Sequence, residues 1–157
     1  MPKGQAPSLM GRALRYLSRR EHSRQELRKK LLVYAETEDE VDELLIKLEK
    51  QSWLSDERYA EGLARRKSDR YGSLKIVDEL KQQSVDALTV NKIKEELKQS
   101  DLDRAWALWD RKFSGVIAIE PKERAKQMRY LVGKGFPLDV VSKVVSGRFS
   151  PNQDPSI

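Results

Sequence analysis

Apolar residues recur along this chain at helical spacing, in short stripes separated by polar stretches that carry start and stop signals. Leu9, Ala13, Tyr16 and Leu17 fall at i, i+4, i+7 and i+8, one face of a helix from about Ser8 to Arg20. Ser23 with Glu26, and Thr37 with Glu40, are capping-box pairs. They predict a second helix with the stripe Leu27, Leu31 and Tyr34, and a third with Val41, Leu44, Leu45 and Leu48. A fourth helix opens at Ser55, has Asp56 and Glu57 in its first turn where the dipole favours anions, and buries Tyr59, Ala60, Leu63 and Ala64. Gly72 suits a left-handed stop and Ser73 a cap for the next helix, which faces Ile76, Val77 and Leu80 inward. A sixth helix from near Asp86 carries Val90, Ile93 and Leu97, and a seventh from Asp101 carries Leu102, Ala105, Trp106, Trp109 and Phe113. Pro121 and Pro137 begin the last two, with Ala125, Met128, Leu131 and Val132, then Leu138, Val141, Val144 and Val145, inward.

The pattern repeats. Ala13, Ala60 and Ala105 lie 47 and 45 residues apart, and Leu31, Leu80 and Leu131 lie 49 and 51 apart. Such a period predicts stacked helical units that share a continuous core. The expected fold is all-α: three tandem three-helix repeats, about nine helices, in an elongated, curved array. The units are expected at 8–53, 54–100 and 101–147, between a disordered N-terminus (1–7) and a flexible tail (148–157). The expected core includes Leu17, Leu27, Leu31, Leu45, Tyr59, Leu80, Trp106, Trp109 and Leu131. Ser114 to Glu120 holds Val116, Ile117 and Ile119 but has no partner strand, so a loop is expected there.

Composition narrows the function. Of 157 residues, 36% are charged, 38% are hydrophobic and none is cysteine. Disulfides and thiolate chemistry are therefore excluded. His22 is the one histidine, so neither a catalytic triad nor a histidine-based zinc site assembles; no P-loop or dinucleotide turn is present. His22 fits a turn residue bonded to backbone. The acidic run Glu36, Glu38, Asp39, Glu40, Asp42, Glu43 lacks calcium-loop spacing and reads as a solvated helix start. No cofactor, metal or catalytic residue is expected. No apolar run approaches a membrane span, and residues 1–6 lack the apolar centre of a signal peptide, so a cytoplasmic location is expected.

Charge is more informative. The net charge is +6. Residues 1–35 carry +7, residues 36–49 carry −6, and residues 58–75 carry +4. A basic surface and a separate acidic one follow, and the basic one suits an anionic partner. The expected contact face comprises Arg12, Arg15, Arg19, Arg20, Arg24 and Arg28 in the first unit, and Arg58, Arg65, Arg66, Arg70 and Lys75 in the second. Arginine favours bidentate contact with phosphate or carboxylate. Intrahelical pairs such as Glu26–Lys30 are the competing use of these charges. Trp106 and Trp109 offer a stacking platform, but their place in the apolar stripe favours the core.

Four stretches carry a family resemblance: Tyr16 to Leu27, Leu54 to Ala60, Arg70 to Ile76 running on to Glu79-Leu80, and Arg129-Tyr130-Leu131 with Gly135-Phe136. Through them the chain resembles the RecX family, bacterial regulators of the RecA recombinase. The resemblance implies tandem three-helix units in a curved monomer. It implies binding in the groove of the RecA–single-stranded DNA filament, which curbs ATP hydrolysis, strand exchange and co-protease activity, and so modulates recombinational repair and the SOS response. The implied partners are the RecA filament and single-stranded DNA, with double-stranded DNA as a further candidate. The chain departs from the family at Ser84, where a glycine is usual, and in the apolar character of Ser114 to Glu120. The alternative reading is a sequence-nonspecific nucleic-acid binder acting without RecA, which steep salt dependence would distinguish. An enzyme using paired carboxylates is disfavoured, because the acids sit at exposed helix starts.

Overall fold

The computed structural model describes residues 6–151. The remaining residues of the two expected tails, 1–5 and 152–157, lie outside the described residues. Among the described residues eight α-helices follow one another: α1 Leu9–Arg19, α2 Arg24–Leu32, α3 Glu38–Lys50, α4 Asp56–Lys67, α5 Ser73–Gln82, α6 Ala87–Phe113, α7 Pro121–Gly133 and α8 Leu138–Val145. None is long and apolar enough to cross a membrane.

Most helices begin where a side chain can satisfy an orphan N–H. Ser8, Ser23, Thr37, Ser55 and Asp86 accept from the backbone N–H of Gly11, Glu26, Glu40, Arg58 and Thr89 respectively. The capping boxes are only half closed. Glu26 turns to Arg20 instead of back to Ser23, and Glu40 accepts from the N–H of Glu36. α7 opens on Pro121 at a position where its missing N–H is harmless.

Three apolar clusters lie in sequence. α1, α2 and α3 enclose Ala13, Leu27, Leu31, Val41, Leu45 and Leu48; Leu17 packs against them, partly buried. α4, α5 and the first half of α6 enclose Tyr59, Ala60, Leu63, Ile76, Leu80, Val90, Ile93 and Leu97. The second half of α6, with α7 and α8, encloses Ala105, Leu108, Trp109, Leu131, Phe136, Val141 and Val144; Trp106 and Phe149 pack against this cluster. The three alanines and three leucines of the sequence repeat are all fully buried.

The number of helices differs from the expected nine. Ser100-Asp101 reads as a helix start, yet nothing between Asp86 and Ser114 breaks the backbone, and no glycine or proline interrupts it. Val90, Ile93, Leu97, Asp101, Ala105 and Leu108 continue one stripe at steps of three and four. The expected sixth and seventh helices are thus one 27-residue helix, about 40 Å long at 1.5 Å per residue. Asp101 occupies a core position of that stripe and is 1% exposed.

Asp101 is buried because it caps another helix. α5 has no side-chain cap of its own, and Gly72 is its N-cap in extended backbone (φ −81°), not a left-handed stop for α4. Ser73, expected as the cap, lies inside α5. Its N–H donates to Asp101 Oδ1 at 3.1 Å and its hydroxyl to Asp101 Oδ2. The turn after α7 completes the junction: Gly72 N–H donates to the Lys134 carbonyl at 2.8 Å and Leu74 N–H to that of Gly135 at 2.9 Å. The third unit therefore supplies the missing N-terminal partners of a helix in the second.

The junction of the first two units is made by polar side chains. Ser23 Oγ donates to Gln83 Oε1 at 2.7 Å, Arg24 N–H to Asp56 Oδ1 at 2.8 Å, and Gln25 Nε2 to the Gln82 carbonyl at 3.1 Å. Ser84 is left-handed, φ 56°, in the turn after α5. A glycine would adopt that conformation without strain, but its place is held by a hydroxyl that donates to Gln25. Ser114 and Gly115, also left-handed, end α6, and 114–120 is a loop. Val116, Ile117 and Ile119 stay exposed there, while the Val116 carbonyl accepts from Gln127. Tyr34, Val132 and Leu138, expected inward, are exposed. Tyr34 follows the end of α2, Val132 lies one step around α7 from the buried Leu131, and α8 turns Val140 inward in place of Leu138.

Candidate functional site

Arg12, Arg15 and Arg19 lie at i, i+3 and i+7 on α1, so they share one side of the helix. With Tyr16 and Tyr34 they line a shallow depression of about 210 Å³. The Arg12 guanidinium carbon lies 3.6 Å from the centre of the Tyr34 ring, within cation–π range. Among the described residues, no carboxylate pairs with Arg12, Arg15 or Arg19, nor with Arg65, Arg66 or Lys75 of the second unit. Their donors remain available to an outside anion.

The other arginines of the expected face are engaged within the molecule. Arg20 forms a two-point bridge to Glu26 at 2.9 and 2.7 Å. That bond raises the Arg20 pKa and holds the Glu26 carboxyl below its usual range. Arg24 reaches Glu49 at 2.6 Å, and Arg28 reaches Asp42 at 2.8 Å and Glu38 at 3.5 Å. The acids of α3 thus draw in two arginines of α2. Arg58 crosses to the first unit, donating to Glu21 at 2.8 Å and to the Ser52 carbonyl at 2.7 Å. Arg70 has only Asp69, at 3.9 Å. The Glu26–Lys30 pair, the competing use of these charges, is absent among the described residues, because Glu26 serves Arg20 and Lys30 serves His22.

His22 is buried, and its neighbours define its proton. Nδ1 lies 3.1 Å from the Arg20 carbonyl, so it carries the hydrogen and donates; Nε2, 3.0 Å from Lys30 Nζ, then accepts. Desolvation pulls the His22 pKa below its ordinary value, with the Arg20 and Lys30 charges adding to the effect. The folded chain therefore resists a proton that the unfolded chain accepts below about pH 6.5. Stability carried by neutral His22 is complete above that pH and declines as the solution is acidified. The urea midpoint of the wild type is expected to fall between pH 7.5 and about 5.5, and His22→Gln to flatten that slope. Parallel pH profiles for the two proteins would contradict this assignment.

A second cationic cluster was missed by sequence reasoning. The charged groups of Lys67, Arg70, Lys75 and Lys134 lie 5.9, 5.9, 4.5 and 5.6 Å from the centre of the Tyr71 ring. Lys134 is also 5.6 Å from the Tyr130 ring, and Lys112 is 5.7 Å from it. The first three cations neighbour Tyr71 in sequence and were legible as a basic run. Lys134 arrives only through the Gly72–Lys134 junction. The tryptophans go elsewhere: Trp109 is buried with its Nε1 hydrogen on Gln127 at 2.9 Å, and Trp106 packs partly buried beside it, ring centres 6.5 Å apart.

Known proteins resemble this chain in sequence and in fold. Residues 10–48 match the RecX first three-helix domain and residues 99–145 match the RecX third three-helix domain. The chain is 45% identical over 148 residues to the regulatory protein RecX of Ralstonia pickettii (strain 12J), covering 94% of this chain and 92% of that protein. It is 46% identical over 129 residues to the regulatory protein RecX of Herminiimonas arsenicoxydans, covering 82% and 85%. In three dimensions it resembles the crystal structure of RecX from Lactobacillus salivarius with a TM-score of 0.76 over 88% of this chain and 93% of that one, at 21% identity. With relatives this similar over nearly their whole length, and with the first and third three-helix domains of the family matched in order, the chain belongs to the RecX family of regulatory proteins.

Proposed function

We propose that this protein binds the RecA–single-stranded DNA filament and restrains its ATP hydrolysis, strand exchange and co-protease activity. It acts without catalysis of its own, as a cytoplasmic monomer whose three units span neighbouring filament subunits. The observation that carries this reading is the unpaired arginine face of α1: Arg12, Arg15 and Arg19 beside Tyr16 and Tyr34. Arg65 and Arg66 on α4 likewise have no carboxylate partners among the described residues. Guanidinium groups held open in this way recognise carboxylates and phosphates, the groups a nucleoprotein filament presents. Several weak contacts on one elongated scaffold reinforce each other through effective concentration.

The test is a titration of this protein into RecA hydrolysing ATP on single-stranded DNA. The wild type is expected to slow hydrolysis at or below equimolar amounts. The triple variant Arg12→Glu, Arg15→Glu, Arg19→Glu is expected to require at least about tenfold more protein for the same inhibition, a loss of roughly 1.4 kcal/mol of binding. Helicity by circular dichroism is expected to stay unchanged, since these side chains carry no core contacts. Absence of inhibition by the wild type at any ratio would reject the reading; full inhibition by the variant would move the active surface off α1.

A further inference from the structure

We infer that the junction of the second and third units is a single-stranded nucleic-acid site, in which Lys75 and Lys134 take backbone phosphates and Tyr71 and Tyr130 offer faces to the bases. This inference deepens the proposed function by locating the strand, but it requires no RecA. It rests on an alternation of cations and rings that runs across the junction. Arg70, Lys67 and Lys75 surround Tyr71, Lys134 lies between Tyr71 and Tyr130, and Lys112 stands beyond Tyr130. Tyr130 is braced edge-on by Phe113, with ring centres 5.5 Å apart and planes at 90°.

Two features argue for an anionic occupant. Like charges gathered around one ring repel one another, and little in the molecule answers them. Glu79 bonds Lys67 at 2.6 Å and Asp69 approaches Arg70 at 3.9 Å, but among the described residues no carboxylate pairs with Lys75, Lys134 or Lys112. The rings hold these cations in the free protein through their electron-rich faces. An arriving phosphate draws the ammonium groups away and leaves the rings uncovered. Interleaved rings are what favour a nucleic acid over an acidic protein surface: a carboxylate-rich partner needs the cations alone, whereas a single strand uses charge and stacking together. Tyr71 and Tyr130 are both half-buried, packed against the second and third apolar clusters. The site also depends on assembly, because Lys134 reaches Tyr71 only while its carbonyl accepts from Gly72.

The experiment measures fluorescence anisotropy of a labelled oligothymidylate with the full chain and no RecA, across a salt series. Lys75→Gln with Lys134→Gln is expected to weaken binding about tenfold and to reduce the log–log salt slope by about 1.4, two single-strand phosphate contacts. Lys47→Gln with Lys50→Gln on α3 makes the same charge change away from the junction and is expected to shift affinity less than twofold. Tyr71→Leu is expected to lose about tenfold while Tyr71→Phe keeps wild-type affinity. The lysine variants decide the matter if Tyr71→Leu does not fold. Polyglutamate is expected not to displace the strand at equal charge concentration. Equal losses in both lysine pairs, no loss in either, or full displacement by polyglutamate would overturn the site. Such a failure leaves the filament reading standing, since the α1 arginines are unchanged in every variant.

Discussion

Asp101→Ala is expected to lower the free energy of unfolding by about 3–5 kcal/mol, because it removes a buried carboxylate that serves both a half-buried guanidinium and the start of α5. Arg104 Nη2 donates to Asp101 Oδ1 at 2.5 Å, and its other donors reach the carbonyls of Ser68 at 2.8 Å, Tyr71 at 2.5 Å and Leu97 at 3.1 Å. Burial pulls the Arg104 pKa down while the Asp101 charge opposes it. Removing the carboxylate leaves the half-buried cation without a counter-charge, and it also takes the acceptor of Ser73 from the start of α5. Urea denaturation followed by circular dichroism measures the cost. Asp101→Asn keeps an acceptor for Ser73 but loses the charge, so an intermediate loss is expected. Changing Asp101 and Arg104 together to Leu and Met is expected to recover only part of the stability, since the uncompensated cation is gone but Ser73 still lacks its acceptor and the Ser68 and Tyr71 carbonyls lose their donor. A loss under about 1 kcal/mol for Asp101→Ala would place the pair in water, not in the interior.

Gly135→Ala is expected to cost about 2–6 kcal/mol from two separate causes. Gly135 has φ +96°, where a side chain is strained whatever the space around it. A Cβ there would also collide with that of Lys75 and lie 2.8 Å from the Lys75 nitrogen. Gly72→Ala separates the causes. Its φ of −81° is ordinary, but its Cβ would lie 2.5 Å from the Gly135 carbonyl carbon and from the Phe136 nitrogen. Only the collision acts at position 72, and a smaller loss, about 1–3 kcal/mol, is expected. Both changes push apart the segments joined by the Gly72–Lys134 and Leu74–Gly135 hydrogen bonds. Hydrogen exchange at Gly72 and Leu74 should therefore accelerate before exchange in α8. A wild-type thermal midpoint for Gly135→Ala would show that the turn can rearrange without loosening the junction.

The fold was largely legible because helix starts and core stripes are local signals. Ser8, Ser23, Thr37, Ser55 and Asp86 begin helices as their side chains dictate. The repeated alanines and leucines are buried because their spacing is in phase with the helix. Several misreadings involve a residue used by a distant segment. Asp101 has the composition of a helix start, and its real role, capping α5 from within α6, depends on Ser73 and Arg104. Gly72 suits a stop, but a close approach by Gly135 is what demands its small size. Ser84 stands where a glycine is usual, and its compensation comes from Gln25 in another unit. The candidate site was legible only as a pool of charge. Which arginines are free depends on where Glu21, Glu26, Asp42 and Glu49 fall in space, and no spacing rule reveals that.

The long helix α6 has a mechanical consequence. Two cores are threaded on one shaft, so the second and third units must tilt and twist as a single lever. The first unit has no such shaft; it joins the second through the short connection between Lys50 and Asp56 and through polar side-chain bonds, part-buried at Ser23–Gln83 and exposed at Gln25–Gln82 and Arg58–Glu21. Bending strain imposed from outside therefore concentrates at the connection between α3 and α4, between the unit that carries Arg12, Arg15 and Arg19 and the stiffer pair that follows.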